Sequence, residues 1–364
     1  MEVKKMTTLQ EVIAGIRPVN GEWRQRARDY MANLATPPGA LGDLLLLAEQ
    51  LAAIKQTLRP SVGNKVVVTM AGDHGVVAEG VSAFPQEVTP QMVANFVAGG
   101  AGINVLGGVA GARVLVVDMG VAADLSGLAE QGKILSYKVA AGTQNMASGP
   151  AMSREQAVQS LEAGIDIVGK LVQEGVELLG TGDMGIGNTT PSSAILAIFS
   201  GLPVHQVTGR GTGLTDEALG NKVRIIQKAL AKNLPDPADP VDVLAKVGGF
   251  EIGGIAGIIL GAAYHRVPVV VDGFISSAGA LLANRLAPAA VDYMIAAHQS
   301  VEYGHRHMLQ ELGLKPILNL NLRLGEGTGA AIAMSVVEAA AQVICKVLTF
   351  EGAGVSRNNS EVCF

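Results

Sequence analysis

Cysteine is almost absent from this 364-residue chain: only Cys345 and Cys363 occur. Two cysteines exclude a disulfide framework and a cysteine-based zinc site, and they fit a reducing cytoplasm. Aromatic residues make up only 4% of the chain. There is no excess of positive charge: the net charge is −5, which gives no reason to expect nucleic acid or an anionic membrane as partner. The N-terminus, Met1-Glu2-Val3-Lys4-Lys5, has no apolar segment behind it, so no signal peptide is read. The apolar stretches, such as 252–264, read as too short and too glycine-rich to span a bilayer. No histidine, cysteine and carboxylate set has metal-ligand spacing, and there is no P-loop lysine, G-x-S-x-G elbow or H-E-x-x-H.

Small aliphatic residues fill the space that aromatics leave. Apolar residues are 49% of the chain and 46 residues are glycine. That composition suits an α/β protein able to bury one large core, or one large and one small domain. Residues 8–60 read as helices, broken at Thr36-Pro37-Pro38-Gly39. Strand-like runs follow at 65–70, 114–118, 176–179, 267–272 and 291–297, with a weaker candidate at 316–322. Helical patterns lie between and after them at 88–106, 154–174, 191–199, 216–231, 252–264, 276–284 and 328–348. Apolar strands alternating with helices predict a parallel sheet covered on both faces.

Nearly every strand ends in a polar, glycine-bearing turn: Gly72-Asp73-His74-Gly75, Asp118-Met119-Gly120, Gly182-Asp183, Asp272-Gly273-Phe274, His298-Gln299-Ser300 and Gly325-Glu326-Gly327. Parallel sheets bind ligands beyond the carboxyl ends of their strands, so these six turns are expected on one rim. Two of them carry an acidic residue ahead of a small-residue helix: Gly180-Thr181-Gly182-Asp183-Met184-Gly185-Ile186-Gly187-Asn188-Thr189-Thr190, and Leu324-Gly325-Glu326-Gly327-Thr328-Gly329-Ala330. Such turns let backbone approach a ligand, and the helix behind offers N–H groups to an anion. A carboxylate there repels a phosphate, which points to proton chemistry beside a phosphate site.

Each motif also has a plainer reading. Gly180 to Gly185 matches the dinucleotide fingerprint G-x-G-x-x-G, but Asp183 would face the pyrophosphate and no acid follows about 20 residues on. A single phosphate at the helix start fits better, with Thr190 as N-cap and Pro191 as first helical residue; equally, Asn188, Thr189 and Thr190 only cap the helix. Glu326 either stabilises the helix dipole or serves as a general base, and its flanking glycines favour the base. Arg210, in Gly209-Arg210-Gly211-Thr212-Gly213, and Lys222 are candidate phosphate cations. His74 is expected to be structural or adjacent to a ligand, and His305 and His307 flank Arg306 on a polar helix. The tail 352–359 reads as polar and loose, with Val362-Cys363-Phe364 able to dock on a neighbour.

Taken together, Gly182 to Pro191 and Arg323 to Ala330 resemble the turns of the nicotinate-nucleotide–dimethylbenzimidazole phosphoribosyltransferase family. Similar segments are Pro37-Pro38-Gly39-Ala40-Leu41-Gly42, Asp73-His74-Gly75-Val76, Gly149-Pro150-Ala151-Met152-Ser153, Asn221-Lys222-Val223, Lys246-Val247-Gly248-Gly249-Phe250 and Leu281. The resemblance runs from about residue 10 to residue 347. It implies transfer of phosphoribose from nicotinate mononucleotide to 5,6-dimethylbenzimidazole, in assembly of the lower ligand of cobalamin. It implies Glu326 as catalytic base and Asp183 as a second acid, where some members carry Glu, orienting the base or the ribose. Phosphate and ribose binding fall on Gly185, Gly187, Asn188, Thr189 and Lys222. The acceptor slot falls on Phe84, Met184, Ile186 and Leu324. No cofactor or metal is implied, since no pyrophosphate departs. The implied fold is a parallel, Rossmann-like three-layer α/β domain (61–325) with a smaller helical domain drawn from 1–60 and 326–364. The implied assembly is a homodimer with sites near the subunit interface. A dinucleotide-dependent oxidoreductase and a non-catalytic nucleotide-binding regulator are the alternatives.

Overall fold

Six short parallel strands carry the architecture of the protein, a computed structural model describing residues 8–211 and 213–356. They are β1 (Lys65–Gly72), β2 (Ala112–Gly120), β3 (Leu135–Ser136), β4 (Leu178–Met184), β5 (Val269–Val271) and β6 (Met294–Ala296). Every residue of β1 is buried, as expected for a β-branched strand at the centre of a two-sided sheet. The strand order is β3-β2-β1-β4-β5-β6. β1 pairs in register with β2 (Lys65↔Ala112) on one side and with β4 (Lys65↔Leu178) on the other. The chain builds outward from β1, then returns to lay β4 beside it. The reversal opens a crevice at the carboxyl ends of β1 and β4, where ligands bind in folds of this order.

Helices cover both faces. One face holds Arg154–Gln173, Phe250–His265 and Phe274–Leu286. The other holds Val88–Ala98, Gly102–Ala110 and the long helix Thr328–Lys346. Small residues set the packing distance. A methyl group on Gly164 would lie 2.1 Å from Gly254 O, and one on Gly257 2.0 Å from Leu161 O. Two helix backbones therefore touch, which is one use of the many glycines and a reason few aromatics are needed. Gly21–Met31 and Asp43–Lys55 pack through Ala27, Met31, Ala48 and Ala52 on Ala340 and Ile344, at the far end of Thr328–Lys346. A bridge between Leu34 and Thr349 ties the two chain ends together.

Several expectations need correction. Gly180 to Met184 are strand residues of β4, not a turn after it. The expected helix 88–106 is two helices, because Gly99 takes a left-handed φ of 79° between them. Residues 316–322 form no strand, and only Leu318 bridges, to His298. β3 escapes the sequence pattern, since two residues carry no periodicity. The apolar helix Thr328–Lys346 is, at 19 residues, long enough to cross a membrane by length and composition, contrary to the reading that apolar stretches here are too short. Ten of its residues are buried within the fold, which accounts for its apolar character. The residues 357–364, including Val362, Cys363 and Phe364, lie outside the described residues.

Candidate active site

The turn after β5 and the two acidic turns meet at the crevice. Gly325, Glu326 and Gly327 have φ of 81°, 63° and 96°, three left-handed residues in succession. For a glutamate this conformation costs on the order of 1–3 kcal/mol and persists only where its surroundings impose it. They do so from three strands. The Glu326 N–H donates to Asp183 O of β4 (3.2 Å), and Thr69 Oγ1 of β1 donates to Glu326 O (2.9 Å). Asp272, just beyond β5, accepts from the N–H groups of Gly327 (3.3 Å) and Ala330 (2.9 Å). Thr328 Oγ1 donates to Gly325 O (2.8 Å). Gly182 is glycine because a methyl group there would lie 2.3 Å from Glu326 O.

The clamp aims one carboxylate. Glu326 is 5% exposed, and its Oε2 accepts from the Ile103 N–H (3.2 Å) at the start of Gly102–Ala110. Burial raises its pKa above the ordinary glutamate value, and the Ile103 N–H only partly offsets this. Asp183 is held well above the ordinary carboxylate range by burial and by the nearby Asp272 and Glu251, although Asn188 Nδ2 donates to its Oδ2 (3.0 Å). Burial also lifts Asp272 to about 7.

The β4 turn shapes the other end. Gly187 has a φ of 87°, and a methyl group on Gly185 would lie 2.2 Å from Gly72 O of β1. The helix that follows is Thr189–Ser200, with Asn188 at the N-cap, so Thr190 is not the cap and Pro191 is the third helical residue. The Asn188 side chain serves Asp183 rather than the helix. Lys222 is buried, and its Nζ donates to Thr189 Oγ1 (2.6 Å). Burial lowers its pKa to about 8, with Glu302 acting the other way.

A cavity of about 350 Å³ at this crevice is lined by Asp183, Met184, Gly185, Ile186, Asn188, Thr189, Phe84, Leu324 and Glu326 among others. A hollow of about 40 Å³ shares the Gly185, Ile186, Asn188, Thr189 and Gly211 wall and adds Gly187, Arg210 and Lys222. The residues that the resemblance assigns to the site thus line these two adjoining hollows. Phe84 (48% exposed) and Leu324 (60% exposed) stand at its open side. A larger hollow, about 560 Å³, lies between Asp43–Lys55 and residues 312–317, and none of the candidates lines it.

Four of the six polar turns contribute to the cavity. Asp118 instead closes its own turn, accepting from the Gly120 and Val121 N–H groups. His74 is fully buried behind Gly185, its Nε2 2.8 Å from Glu251 Oε1. Gly249 makes room for that pair, since a methyl group there would lie 2.4 Å from His74 Cε1. His305 is likewise buried, not on a polar surface: Ser277 Oγ and the Ser300 N–H bond its ring. Thr212 lies outside the described residues.

Sequence reasoning misses Asp272 as a clamp of the catalytic turn, and His298, Ser300, Glu302 and Arg323 as cavity-lining residues. The turns of the first three are legible as strand ends, but nothing local tells which side chains point inward. The dinucleotide reading fails on packing. Methyl groups on Gly180, Gly182 and Gly185 would meet Met334 Cε, Glu326 O and Gly72 O at 2.7, 2.3 and 2.2 Å. These glycines approach the protein's own atoms, not a pyrophosphate.

Known proteins resemble this chain in sequence and in fold. A family described as phosphoribosyltransferase matches residues 16–355. The nicotinate-nucleotide–dimethylbenzimidazole phosphoribosyltransferase of Geobacter sulfurreducens is 57% identical, over 97% of this chain and all of that protein. Its namesake from Syntrophotalea carbinolica is 58% identical, over 97% of this chain and 99% of that protein. The crystal structure of CobT from Thermus thermophilus superposes with a TM-score of 0.89 at 48% identity, over 93% of this chain and all of that one. The matched backbone, the full-length identity and the converged cavity lead to one statement: the chain belongs to the nicotinate-nucleotide–dimethylbenzimidazole phosphoribosyltransferase family.

Proposed function

We propose that this protein transfers the 5-phosphoribosyl group of nicotinate mononucleotide to 5,6-dimethylbenzimidazole, yielding α-ribazole 5′-phosphate and nicotinate. The observation that carries the reading is one cavity bearing the buried Glu326 carboxylate and sharing a wall with the hollow of Lys222. The family relatives are named for these substrates, which supports their choice here.

In this reaction one benzimidazole nitrogen attacks C1′ as the bond from C1′ to the pyridinium nitrogen breaks. The bonding pair returns to that nitrogen, so nicotinate leaves with a neutral ring and needs no acid. The attacking ring becomes cationic, and its second N–H grows acidic. Glu326 takes that proton. In-line attack inverts C1′ and converts a β-nucleotide into an α-product. Lys222 and the backbone of residues 185–189 hold the phosphate. The lysine reaches Thr189 at the start of Thr189–Ser200, a helix end suited to an anion. Met184, Ile186, Leu324 and Phe84 offer the flat acceptor an apolar slot. Asp183, kept from ionising freely by burial and by the nearby Asp272 and Glu251, orients the ribose or the base.

The test is a chromatographic assay of the purified protein with both substrates and no added metal. Nicotinate release matched by an α-linked ribotide is expected. Release only with a different aromatic base would keep the mechanism and change the acceptor. No release with any base would leave a nucleotide-binding protein as the better reading.

A further inference from the structure

Two anions enter the cavity with the donor. Lys222 meets the phosphate, but the carboxylate of the nicotinate ring lacks a cation and arrives in a cavity where Glu326 opposes it. Arg323 is the one lysine or arginine among the described residues that line this cavity. His298, the other basic side chain on the lining, is pushed below its ordinary pKa by burial and is neutral near pH 7.

The segment that carries Arg323 is fixed on both sides. Leu322 O accepts from Ser300 Oγ (3.1 Å) and from the Val301 N–H (3.2 Å). Three residues after Arg323, the Glu326 N–H donates to Asp183 O (3.2 Å). The backbone at 323 is therefore held at the cavity while its side chain is exposed and open to a ligand. That guanidinium is not spent within the fold. Arg210, on the adjoining hollow, pairs with Asp216 and donates to Leu214 O (2.8 Å), whereas Arg323 has no such partner among the described residues. Its charge reaches Glu302, but Glu302 Oε2 packs on Gly209, where a methyl group would lie 2.1 Å away.

In-line displacement puts the acceptor and the departing ring on opposite sides of C1′. Met184, Ile186 and Glu326 serve the acceptor. The lining that remains includes Phe274, Ile275, Ser300 and Arg323: apolar surface for a pyridine ring, and one planar cation that can meet a carboxylate through two parallel N–H bonds. We propose that Arg323 binds the nicotinate carboxylate of the donor and so selects nicotinate over nicotinamide nucleotides. This rests on the phosphoribosyl-transfer reading above.

The experiment measures kcat/KM for nicotinate mononucleotide and nicotinamide mononucleotide in wild type and Arg323→Gln. The two rings leave with different ease, so the quantity read is the donor ratio in wild type divided by that ratio in the variant, in which this difference cancels. A charge-assisted pair predicts a change on the order of 10- to 100-fold in that quantity, with the loss falling on the nicotinate donor. Arg323→Lys, which keeps the charge without the fork, should recover part of it. An unchanged ratio overturns the proposal, and so does an equal loss for both donors, which would give Arg323 to the phosphate or to the fold. Calorimetry with free nicotinate and nicotinamide gives a second reading: the variant should bind nicotinate more weakly and nicotinamide as before, and an equal change for both also overturns it. Absent turnover of nicotinate mononucleotide by wild type refutes the reaction, whereas turnover with an unmoved donor ratio refutes only the role of Arg323.

Discussion

Replacing Glu326 by Gln separates the proton chemistry of the site from its shape. The amide keeps the size of the side chain, and its oxygen can still accept from the Ile103 N–H that now meets Oε2 at 3.2 Å. The left-handed turn is held by backbone and by Asp272, which the substitution does not touch. What is lost is a proton acceptor. General-base catalysis contributes roughly 10²- to 10⁴-fold. The acceptor's second N–H becomes acidic during attack, so water replaces the base in part. The site is only 5% exposed at Glu326, which limits that replacement. A fall in kcat of about 10²- to 10³-fold is expected, or roughly 3–4 kcal/mol. KM for nicotinate mononucleotide should stay within a fewfold. Burial raises the Glu326 pKa, so wild-type activity should rise with pH through a limb above the ordinary glutamate value, and the variant should lack that limb. Stability moves the other way. Between the unfolded and the raised folded pKa the native state holds more protons, so this group's contribution falls as pH rises. At pH 8 the Gln variant should therefore melt no lower than wild type for electrostatic reasons. Steady-state kinetics across pH, with thermal melts on the same samples, provide the check. A variant within threefold of wild type, or one that keeps the acidic limb, would falsify the assignment of Glu326 as base.

Two further outcomes follow from the same geometry. Lys222 carries a pKa lowered to about 8, so kcat/KM for the donor should fall above that pH as the cation loses its proton; Lys222→Met should abolish the limb and raise the donor KM by roughly 10- to 100-fold, and an unchanged profile would remove Lys222 from phosphate binding. In Gly182→Ala the new methyl group meets the Glu326 backbone carbonyl at 2.3 Å; overpacking of this kind costs about 1–3 kcal/mol and shifts the catalytic turn, so both melting temperature and kcat should drop, whereas full activity at an unchanged melting temperature would show the turn to be more pliant than its packing indicates.

The sequence alone determined much of this protein. β-branched runs at 65–70 and 114–118 became β1, buried along its whole length, and the inner part of β2, because strands inside a two-sided sheet are rich in apolar residues. Glycines beside a carboxylate marked Asp183 and Glu326, because few plain structural roles need that combination. The long motifs around them identified the family. Tertiary structure decided the rest. That β1 and β4 are neighbours, and so make the crevice, depends on pairings 113 residues apart between Lys65 and Leu178. Gly180 and Gly182 look like turn residues in sequence, yet they lie in β4, since what they accommodate is Met334 and the Glu326 carbonyl, more than 140 residues onward. The turn of Asp272 was legible, but the role of its side chain, like the presence of Glu302 at the cavity, was hidden for the same reason. A carboxylate's role depends on which N–H groups, cations and cavities surround it, and those arrive from distant parts of the chain only when the sheet and its helices close.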